Sequence, residues 1–235
     1  MSETVPVVTI DGPGGTGKGT VAARVAGHLG WHLLDSGAIY RVLAHAAVQA
    51  GVDSDDVEGL LEIAARMHLR FTTDGAEASA VELDGADVTK AIRSEACGDL
   101  ASRVAAHPAV REALLQRQRD FRQSPGLVAD GRDMGTVVFA DASVKIFLTA
   151  SVEERARRRY KQLMRQGVGA NLSDLLEEIT ARDRRDASRS VAPLAPAADA
   201  VELDTTELSV DEVTEAVMSQ VCRRLNIDGP GGSTR

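Results

Sequence analysis

The sequence predicts an α/β fold that contains a small antiparallel insertion, and three observations support this prediction. Short apolar segments rich in β-branched residues alternate with stretches of helical periodicity over residues 5–67 and again over 126–225. Between these blocks, residues 68–84 hold two strand-like segments without a helix between them, which is typical of a hairpin rather than of a βαβ unit. The chain is also 43% hydrophobic and 26% charged, a globular composition that excludes disorder and low complexity.

The first block predicts a strand, a glycine-rich loop and a helix in succession. Residues 5–11 form an apolar run that ends before Gly12, as expected of a buried strand. From Lys18 to Leu29 apolar residues recur at helical spacing, and Gly30 ends the helix. The block continues with a strand at 32–34 and with helices at 38–49 and 57–67.

The insertion and the second block complete the predicted elements. Strands at 68–73 and 80–84 flank a polar turn at 74–79, and Pro108 is placed at the first position of a helix. The remaining predictions are helices at 92–106, 109–122, 152–166, 172–185 and 210–225, and strands at 126–130, 144–150 and 200–203. We expect one domain over residues 1–235, because the second block resumes the alternation of the first.

Composition excludes several classes of function. The 27 basic and 35 acidic residues give a net charge of −8, which disfavours binding to nucleic acid. No segment approaches the roughly 20 apolar residues of a membrane span, and the first ten residues lack the features of a signal peptide. Cys97 and Cys222 match no metal or redox spacing. We therefore expect a cytoplasmic monomer that has no membrane or nucleic-acid partner.

A phosphate-binding loop is the strongest local motif in the chain. The residues between the first strand and the first helix match G-x-x-x-x-G-K, in which backbone N–H groups and a lysine hold the phosphates of a nucleotide. An ordinary glycine turn is the less favoured alternative. The residues predicted to bind ATP are Gly12, Pro13, Gly14, Gly15, Thr16, Gly17, Lys18, Gly19 and Thr20.

The loop carries Gly19 where many such loops carry a Ser or Thr that binds magnesium. We expect Thr20 or a water molecule to serve instead, with Asp130 at the end of a later strand holding Mg²⁺ through water. The GKGT ending resembles the nucleoside monophosphate kinases, and no N-K-x-D guanine-reading motif occurs in the chain. A GTPase switch is therefore excluded.

Two further loops follow predicted strands, where open α/β sheets place their ligands. Taken alone, Asp35 and Ser36 are better explained as a helix N-cap, and Arg41 as part of a solvated helix face. Arg132 and Asp133 could pair with each other, but a glycine-flanked loop beside a phosphate site favours ligand-binding roles for both.

Five motifs in order resemble the bacterial cytidylate kinase family: DGPGGTGKGT, LLDSGAIYR, LVADGRDMGTVVF, EERARRR and RDRRDASRSVAPL. The resemblance covers residues 5–224. It implies a doubly wound parallel sheet of the P-loop kinase type, an inserted α+β monophosphate-binding subdomain at about 68–108 and a lid at about 151–170. It also implies transfer of the ATP γ-phosphoryl group to CMP or dCMP with Mg²⁺, a step of pyrimidine metabolism.

The resemblance assigns the base-reading residues. It implies that Asp133 accepts from the exocyclic amino group of cytosine, while Ser102 and Arg111 donate to the ring edge. UMP would place its O4 acceptor against the Asp133 carboxylate, and two buried acceptors without a proton between them are costly. Without the resemblance, Ser102 and Arg111 would be interpreted as surface residues of two helices.

The resemblance also assigns the phosphate and ribose contacts. Arg41 and Arg132 match positions that bind the acceptor phosphate, and Asp186 and Arg182 match positions that bind a ribose hydroxyl. Arg189 lies at the edge of this site, and Ser36 is also expected to bind the substrate. Arg155 and Arg158 resemble lid arginines that clamp the transferred group. We expect Lys18, Arg132, Arg155 and Arg158 to act in catalysis. The alternatives are an i,i+4 surface pair for Arg182 with Asp186 and a solvated basic helix face for the lid.

Two rival functions remain open at this point. One is a related kinase with a different acceptor, such as UMP, AMP or shikimate. The other is a regulatory module that binds ATP without transferring phosphate. Turnover with a panel of acceptors separates all three possibilities.

Overall fold

The computed structural model describes residues 4–72, 80–165 and 167–227. Five parallel strands form its central sheet in the order β2-β6-β1-β7-β8. These strands are β1 (Val7–Asp11), β2 (His32–Asp35), β6 (Leu127–Asp130), β7 (Val144–Thr149) and β8 (Val201–Asp204). The α/β prediction is confirmed.

Helices cover both faces of the sheet. They are α1 (Lys18–Leu29), α2 (Ser36–Ala50), α3 (Val57–Arg66), α4 (Glu95–Val104), α5 (Pro108–Arg119), α6 (Val152–Arg165), α7 (Leu172–Ala187) and α8 (Val210–Leu225). Because side chains of a strand alternate between faces, Val7 packs with α2 and α5 while Val8 packs with α1 and α8. The sheet is thus doubly wound, as the family resemblance implied.

The insertion is a three-stranded antiparallel sheet made of β3 (Leu69–Thr72), β4 (Ala80–Leu83) and β5 (Ala86–Asp87). The predicted hairpin is therefore confirmed, although its turn at 74–79 lies outside the described residues. The short β5 strand was not predicted, since two residues carry no periodicity. Pro108 begins α5 as expected.

The helix predicted at 92–106 is divided in the structure, and one further helical turn was not predicted. A 3-10 turn spans Ala91–Arg93, and α4 begins at Glu95 because Ser94 is extended and caps it. A π-helical turn spans Met134–Val138 after β6, and its sequence, MGTVV, has no helical signal. Helix α6 ends at Arg165, and the predicted end at residue 166 lies outside the described residues. No helix among the described segments has the length and apolar character needed to cross a bilayer.

Candidate active site

A cavity of about 770 Å³ opens at the carboxyl ends of the parallel strands. Asp35 at the end of β2 and Asp130 at the end of β6 line it, together with Gly14 and Gly15 from the loop after β1. Its remaining walls come from the start of α1, from α2, α4, α5, α6 and α7, and from the loop after β6. This edge of the sheet is where the fold class binds ligands.

The loop after β1 curls tightly because its glycines adopt conformations that other residues rarely take. Gly12, Gly15 and Gly17 have positive φ angles, and a Cβ at Gly12 would stand 2.0 Å from the carbonyl oxygen of Leu148 in β7. The loop ends at Lys18, the first residue of α1. Backbone N–H groups and the positive end of the helix dipole are thus available to an anion.

Lys18 is buried, and its ammonium donates a 2.8 Å hydrogen bond to the Pro13 carbonyl. Burial lowers its pKa, and the neighbouring guanidinium of Arg132 lowers it further. Thr16 donates to the same carbonyl at 3.2 Å. Of the predicted ATP-binding residues, Gly14, Gly15 and Lys18 line the cavity. The neighbouring loop residues Gly12, Pro13, Thr16 and Gly17 do not line it.

The two predicted magnesium residues are placed differently. Asp130 lines the cavity, and burial raises its pKa while the Lys18 ammonium opposes that rise. Thr20 is exposed on the first turn of α1 and is not part of the cavity wall. A Cβ at Gly19 would lie 3.2 Å from Asp130 Oδ2, so the position that faces this carboxylate carries no side chain. The structure brings only Asp130 to the site.

Three arginines predicted to bind phosphate or ribose converge on the cavity. Arg41 donates to the carbonyls of Ile92 at 2.8 Å and Ser94 at 3.2 Å, and it lies beside Arg132 and Arg182 in the wall. Burial, and then repulsion from Arg132, lowers the pKa of Arg182 to about 9. The buried Nε of Arg182 has no hydrogen-bond partner within the described part of the chain. Crowded cations of this kind fit an anionic ligand.

Ser36, the first residue of α2, is buried in the same wall. A Cβ at Gly131 would stand 2.7 Å from the Ser36 hydroxyl oxygen, so the loop after β6 packs directly onto it. Asp35 caps α2 by accepting from the Ala38 N–H at 3.0 Å. The N-cap interpretation of Asp35 is therefore confirmed, while Ser36 faces the cavity.

A buried ion pair lies in the wall of the cavity. Asp133 is 3% exposed and pairs with the guanidinium of Arg111. That guanidinium lies 5.6 Å from the ring centroid of Tyr40, which also lines the cavity. Both predicted base readers are thus side by side, and the arrangement presents acceptor and donor groups together. Tyr40 was not among the predicted site residues, although its place next to Arg41 in the LLDSGAIYR motif could have indicated that it lies in the site.

Asp186 is 1% exposed and binds several of the other polar side chains of the site. Its oxygens accept from Ser102 at 3.3 Å and from Arg132 at 3.0 Å, and it also pairs with Arg189. The predicted partner Arg182 lines the same cavity, but the ion pairs of Asp186 are with Arg132 and Arg189. The three arginines lower the pKa of Asp186 even though burial opposes them.

Arg155 and Arg158, which the family resemblance assigns to clamping the transferred group, do not line the cavity, and their role as clamps stays a prediction. Arg155 is 3% exposed and donates to the Gly14 carbonyl at 3.1 Å and to Asp183 at 2.5 Å. Arg158 donates to the Thr205 carbonyl at 2.5 Å. Backbone carbonyls and carboxylates already occupy both guanidinium groups, so these arginines tie α6 to its neighbours.

Arg159, on the same helix, does line the cavity and was not among the predicted site residues. It pairs with Glu95 of α4, while Arg185 of α7 pairs with Asp99 at 2.5 Å. Three consecutive arginines point in directions about 100° apart around a helix, and the motif alone does not say which one faces inward.

Comparison with known proteins places this geometry in a family. The family model described as cytidylate kinase matches residues 8–223. The chain is 59% identical over 226 residues to the cytidylate kinase of Pseudomonas fluorescens (strain Pf0-1), covering 95% of this chain and 98% of the relative. It is 59% identical to that of Stutzerimonas stutzeri (strain A1501), with the same coverage, and 57% identical to that of Pseudomonas entomophila (strain L48), covering 95% and 99%. A family model that spans nearly the whole chain, together with relatives more than half identical to it, places this chain in the cytidylate kinase family.

Proposed function

We propose that the protein transfers the γ-phosphoryl group of ATP to CMP and dCMP, releasing ADP with CDP or dCDP. One observation carries the proposal. A single cavity is lined by the phosphate-loop residues Gly14, Gly15 and Lys18, by the Asp133–Arg111 pair and by further arginines. Direct transfer requires a triphosphate and a monophosphate to meet end to end, and one cavity that holds groups for both nucleotides suits that requirement. Membership of the cytidylate kinase family favours a cytidine nucleotide as the acceptor.

The phosphate-facing cations supply most of the catalysis in this proposal. Phosphoryl transfer needs little covalent help, so the site must align the two nucleotides and neutralise the charge on the transferred group. Lys18 would bind the β- and γ-phosphates, while Arg41 and Arg132 would hold the acceptor phosphate beside Arg182. The lowered pKa values of Lys18 and Arg182 support this assignment, since both groups gain from an anion between them.

The residues present also fit a magnesium ion. The described residues contain no group of three or more His, Cys, Asp or Glu side chains that could form a protein-only metal site. Magnesium usually keeps several waters and takes one carboxylate together with substrate phosphates. Asp130 would hold it through water, with Lys18 nearby in the same wall. When bound, the ion supplies charge neutralisation on the donor phosphates.

Asp133 and Arg111 would read the cytosine. Their pairing keeps both charges satisfied before the substrate arrives, which lowers the cost of burying them. With CMP bound, the Asp133 carboxylate would accept from the exocyclic amino group, while Arg111 and Ser102 would donate to the ring. UMP offers no donor at that position, so we expect a large preference for CMP.

Asp186 and Arg182 would contact the sugar, with Arg189 supporting Asp186 from behind. Because dCMP lacks the 2′-hydroxyl group, it would lose one hydrogen bond to Asp186 or Arg182. The base and phosphate contacts would be unchanged, so we expect both CMP and dCMP to be substrates.

Two segments would close over the substrates. We propose that residues 68–108 form the monophosphate-binding subdomain and that 151–170 form the lid. The ion pair of Arg159 with Glu95 joins these two regions, and that of Arg185 in α7 with Asp99 adds a second link to the subdomain. Closure would exclude water, the competing nucleophile in phosphoryl transfer. We further propose that the protein works as a cytoplasmic monomer on free nucleotides rather than on nucleic acids, in keeping with its net charge of −8.

An acceptor panel tests the proposal. ADP formation from ATP and Mg²⁺ is measured with CMP, dCMP, UMP, AMP, shikimate or no acceptor. We expect the highest kcat/KM with CMP and dCMP and almost no ADP without an acceptor. A preference for AMP or shikimate would overturn the assignment of the base pocket. No CMP-dependent ADP would instead favour a regulatory module that only binds ATP.

A further inference from the structure

A buried carboxylate with no part in the proposed chemistry lies between the two substrate regions. Asp11 ends β1, precedes the phosphate loop and is 5% exposed. Both of its oxygens accept backbone hydrogen bonds, Oδ1 from the Met134 N–H at 2.9 Å and Oδ2 from the Gly135 N–H at 2.8 Å. These two residues begin the π-helical turn that follows Asp133.

The side chain of Asp133 does not do what an aspartate at its position ordinarily does. Asp133 is the N-cap residue of the Met134–Val138 turn, and an N-cap aspartate normally accepts from an N–H of its own first turn. Here it makes no such cap, and its carboxylate pairs with Arg111 in the cavity wall. Asp11 holds the Gly135 N–H, which is one of the two that an N-cap side chain takes, and it also holds the Met134 N–H at the start of the turn.

We infer that Asp11 is a positioning residue for substrate selection: it caps the Met134–Val138 turn in place of Asp133 and so leaves the Asp133 carboxylate free to read the base. The inference rests on the proposed function, since it assumes that Asp133 recognises cytosine. It adds a residue that touches neither nucleotide in the proposal and acts through backbone N–H groups.

Loss of Asp11 would create a competition for the Asp133 carboxylate. The Met134 and Gly135 N–H groups belong to buried residues, and buried donors without acceptors are costly. Asp133 is the adjacent carboxylate and stands at the position from which aspartates cap helices. Rotation toward those donors would break its pair with Arg111 and remove the acceptor for the cytosine amino group.

The turn itself should stay in place without Asp11, because other contacts seat it. A Cβ at Gly135 would stand 2.8 Å from the Thr9 hydroxyl oxygen, so the turn packs tightly on β1. The Met134 side chain is buried in the core with Val138 and Phe139. We therefore expect the substitution to change where Asp133 points more than where the loop lies.

The test compares pyrimidine selectivity in five variants of the full-length protein: Asp11→Asn, Asp11→Ala, Asp133→Asn, the double variant Asp11→Ala/Asp133→Asn, and Asp56→Ala. Asp56 is the matched control, since it also accepts a helix N-terminal N–H, from Gly59 at 3.0 Å, and does not line the cavity. The readouts are kcat/KM for CMP and for UMP, KM for ATP, and melting temperature.

We expect Asp11→Ala to lower the CMP/UMP ratio of kcat/KM by about tenfold or more, the equivalent of one buried hydrogen bond. Asp133→Asn should lower it as well, and the double variant should fall little further because both changes remove the same contact. Asp11→Asn, which keeps one acceptor oxygen, should fall between wild type and Asp11→Ala. Asp56→Ala should lower the melting temperature and leave the CMP/UMP ratio of kcat/KM unchanged. In all five variants, KM for ATP should stay within about threefold of the wild-type value.

The outcomes separate the inference from the proposed function. If Asp133→Asn narrows the ratio while Asp11→Ala and Asp11→Asn reduce turnover equally with CMP and UMP, Asp11 is merely structural and the inference fails. If Asp133→Asn leaves the ratio unchanged, the base-reading role of Asp133 fails and the inference falls with it. If Asp11→Ala does not fold, Asp11→Asn provides the same comparison of CMP and UMP, because asparagine preserves the volume of the side chain.

Discussion

Lys18 illustrates how a residue that binds substrate can lower the stability of the substrate-free protein. Its ammonium is buried and has Arg132 and Arg182 nearby, both of which lower its pKa. A hydrogen bond to Pro13 holds it in the loop. A phosphate between these cations would turn their repulsion into attraction.

The substitution Lys18→Met should lower kcat by about 10²–10³-fold, since the lysine neutralises charge that develops on the transferred group. The melting temperature at neutral pH should stay the same or rise, because a buried cation is replaced by an apolar chain of similar length. Steady-state kinetics and thermal unfolding measure the two effects.

Lys145 provides the matched control for that substitution. It is also buried and donates to a backbone carbonyl, that of Ala140 at 2.7 Å, but it pairs with Asp199 far from the cavity lining. Lys145→Met should lower the melting temperature and leave kcat nearly intact. A large loss of kcat in both variants would argue that the effect of Lys18→Met is structural.

The lowered pKa of Lys18 also predicts how stability depends on pH. Burial, and then Arg132, places the folded-state pKa below the ordinary value of 10.5. Between these two values the unfolded chain binds more protons than the folded one, so this group makes stability rise with pH from neutrality toward 10.5. The wild type should therefore gain free energy of unfolding relative to Lys18→Met over that range. Urea titrations of both proteins at two pH values measure the difference, and parallel pH profiles would contradict it.

At the scale of elements, α6 shows why a motif predicts a helix better than its orientation. The predicted start at residue 152 and the arginine-rich character are both correct. Yet Arg155 and Arg158 bond to Gly14, Asp183 and Thr205, while Arg159 reaches the cavity. The direction of each side chain depends on how α6 packs against α7 and the phosphate loop.

The packing of α6 yields a prediction about the lid. Arg159→Met should lower kcat/KM for CMP by about tenfold, because it removes both a cation of the cavity wall and the bridge to Glu95. The matched change Arg157→Met lies on the same helix, where the side chain is exposed and pairs only locally with Glu154 at 2.6 Å. It should leave kinetics unchanged, because exposed pairs of this kind contribute little. Equal effects of the two substitutions would mean that kcat/KM depends on the total positive charge of α6 and not on the position of Arg159 in the cavity wall.

For the whole molecule, the distribution of charge within one cavity matters more than the net charge of the chain. The net charge is −8, while the cavity lining holds eight basic and eight acidic side chains, among which Lys18, Arg132 and Arg182 lie close together. Burial, and then repulsion from Arg132, lowers the pKa of both Lys18 and Arg182. The fold thus maintains a site whose electrostatics improve when an anion binds.

This balance predicts that small anions stabilise the free protein. Inorganic phosphate or sulfate should raise the melting temperature by about 2–4 °C for each kcal/mol of binding free energy, whereas chloride at equal ionic strength should not. Differential scanning fluorimetry measures the shift. Arg182→Met should reduce it, and an equal response to chloride would identify general screening instead of a site.

Sequence patterns by themselves determined the sheet strands, the eight helices to within a few residues and the phosphate loop, because periodicity and glycine placement are local properties of the chain. The family motifs identified most of the side chains that line the cavity. Tertiary structure alone decided which of three consecutive arginines faces inward, that Asp186 pairs with Arg132 and Arg189, and that Asp11 holds the turn after Asp133. Apart from the local pair of Asp186 with Arg189, these contacts join residues far apart in sequence, so they depend on how strands and helices pack rather than on any pattern within one segment.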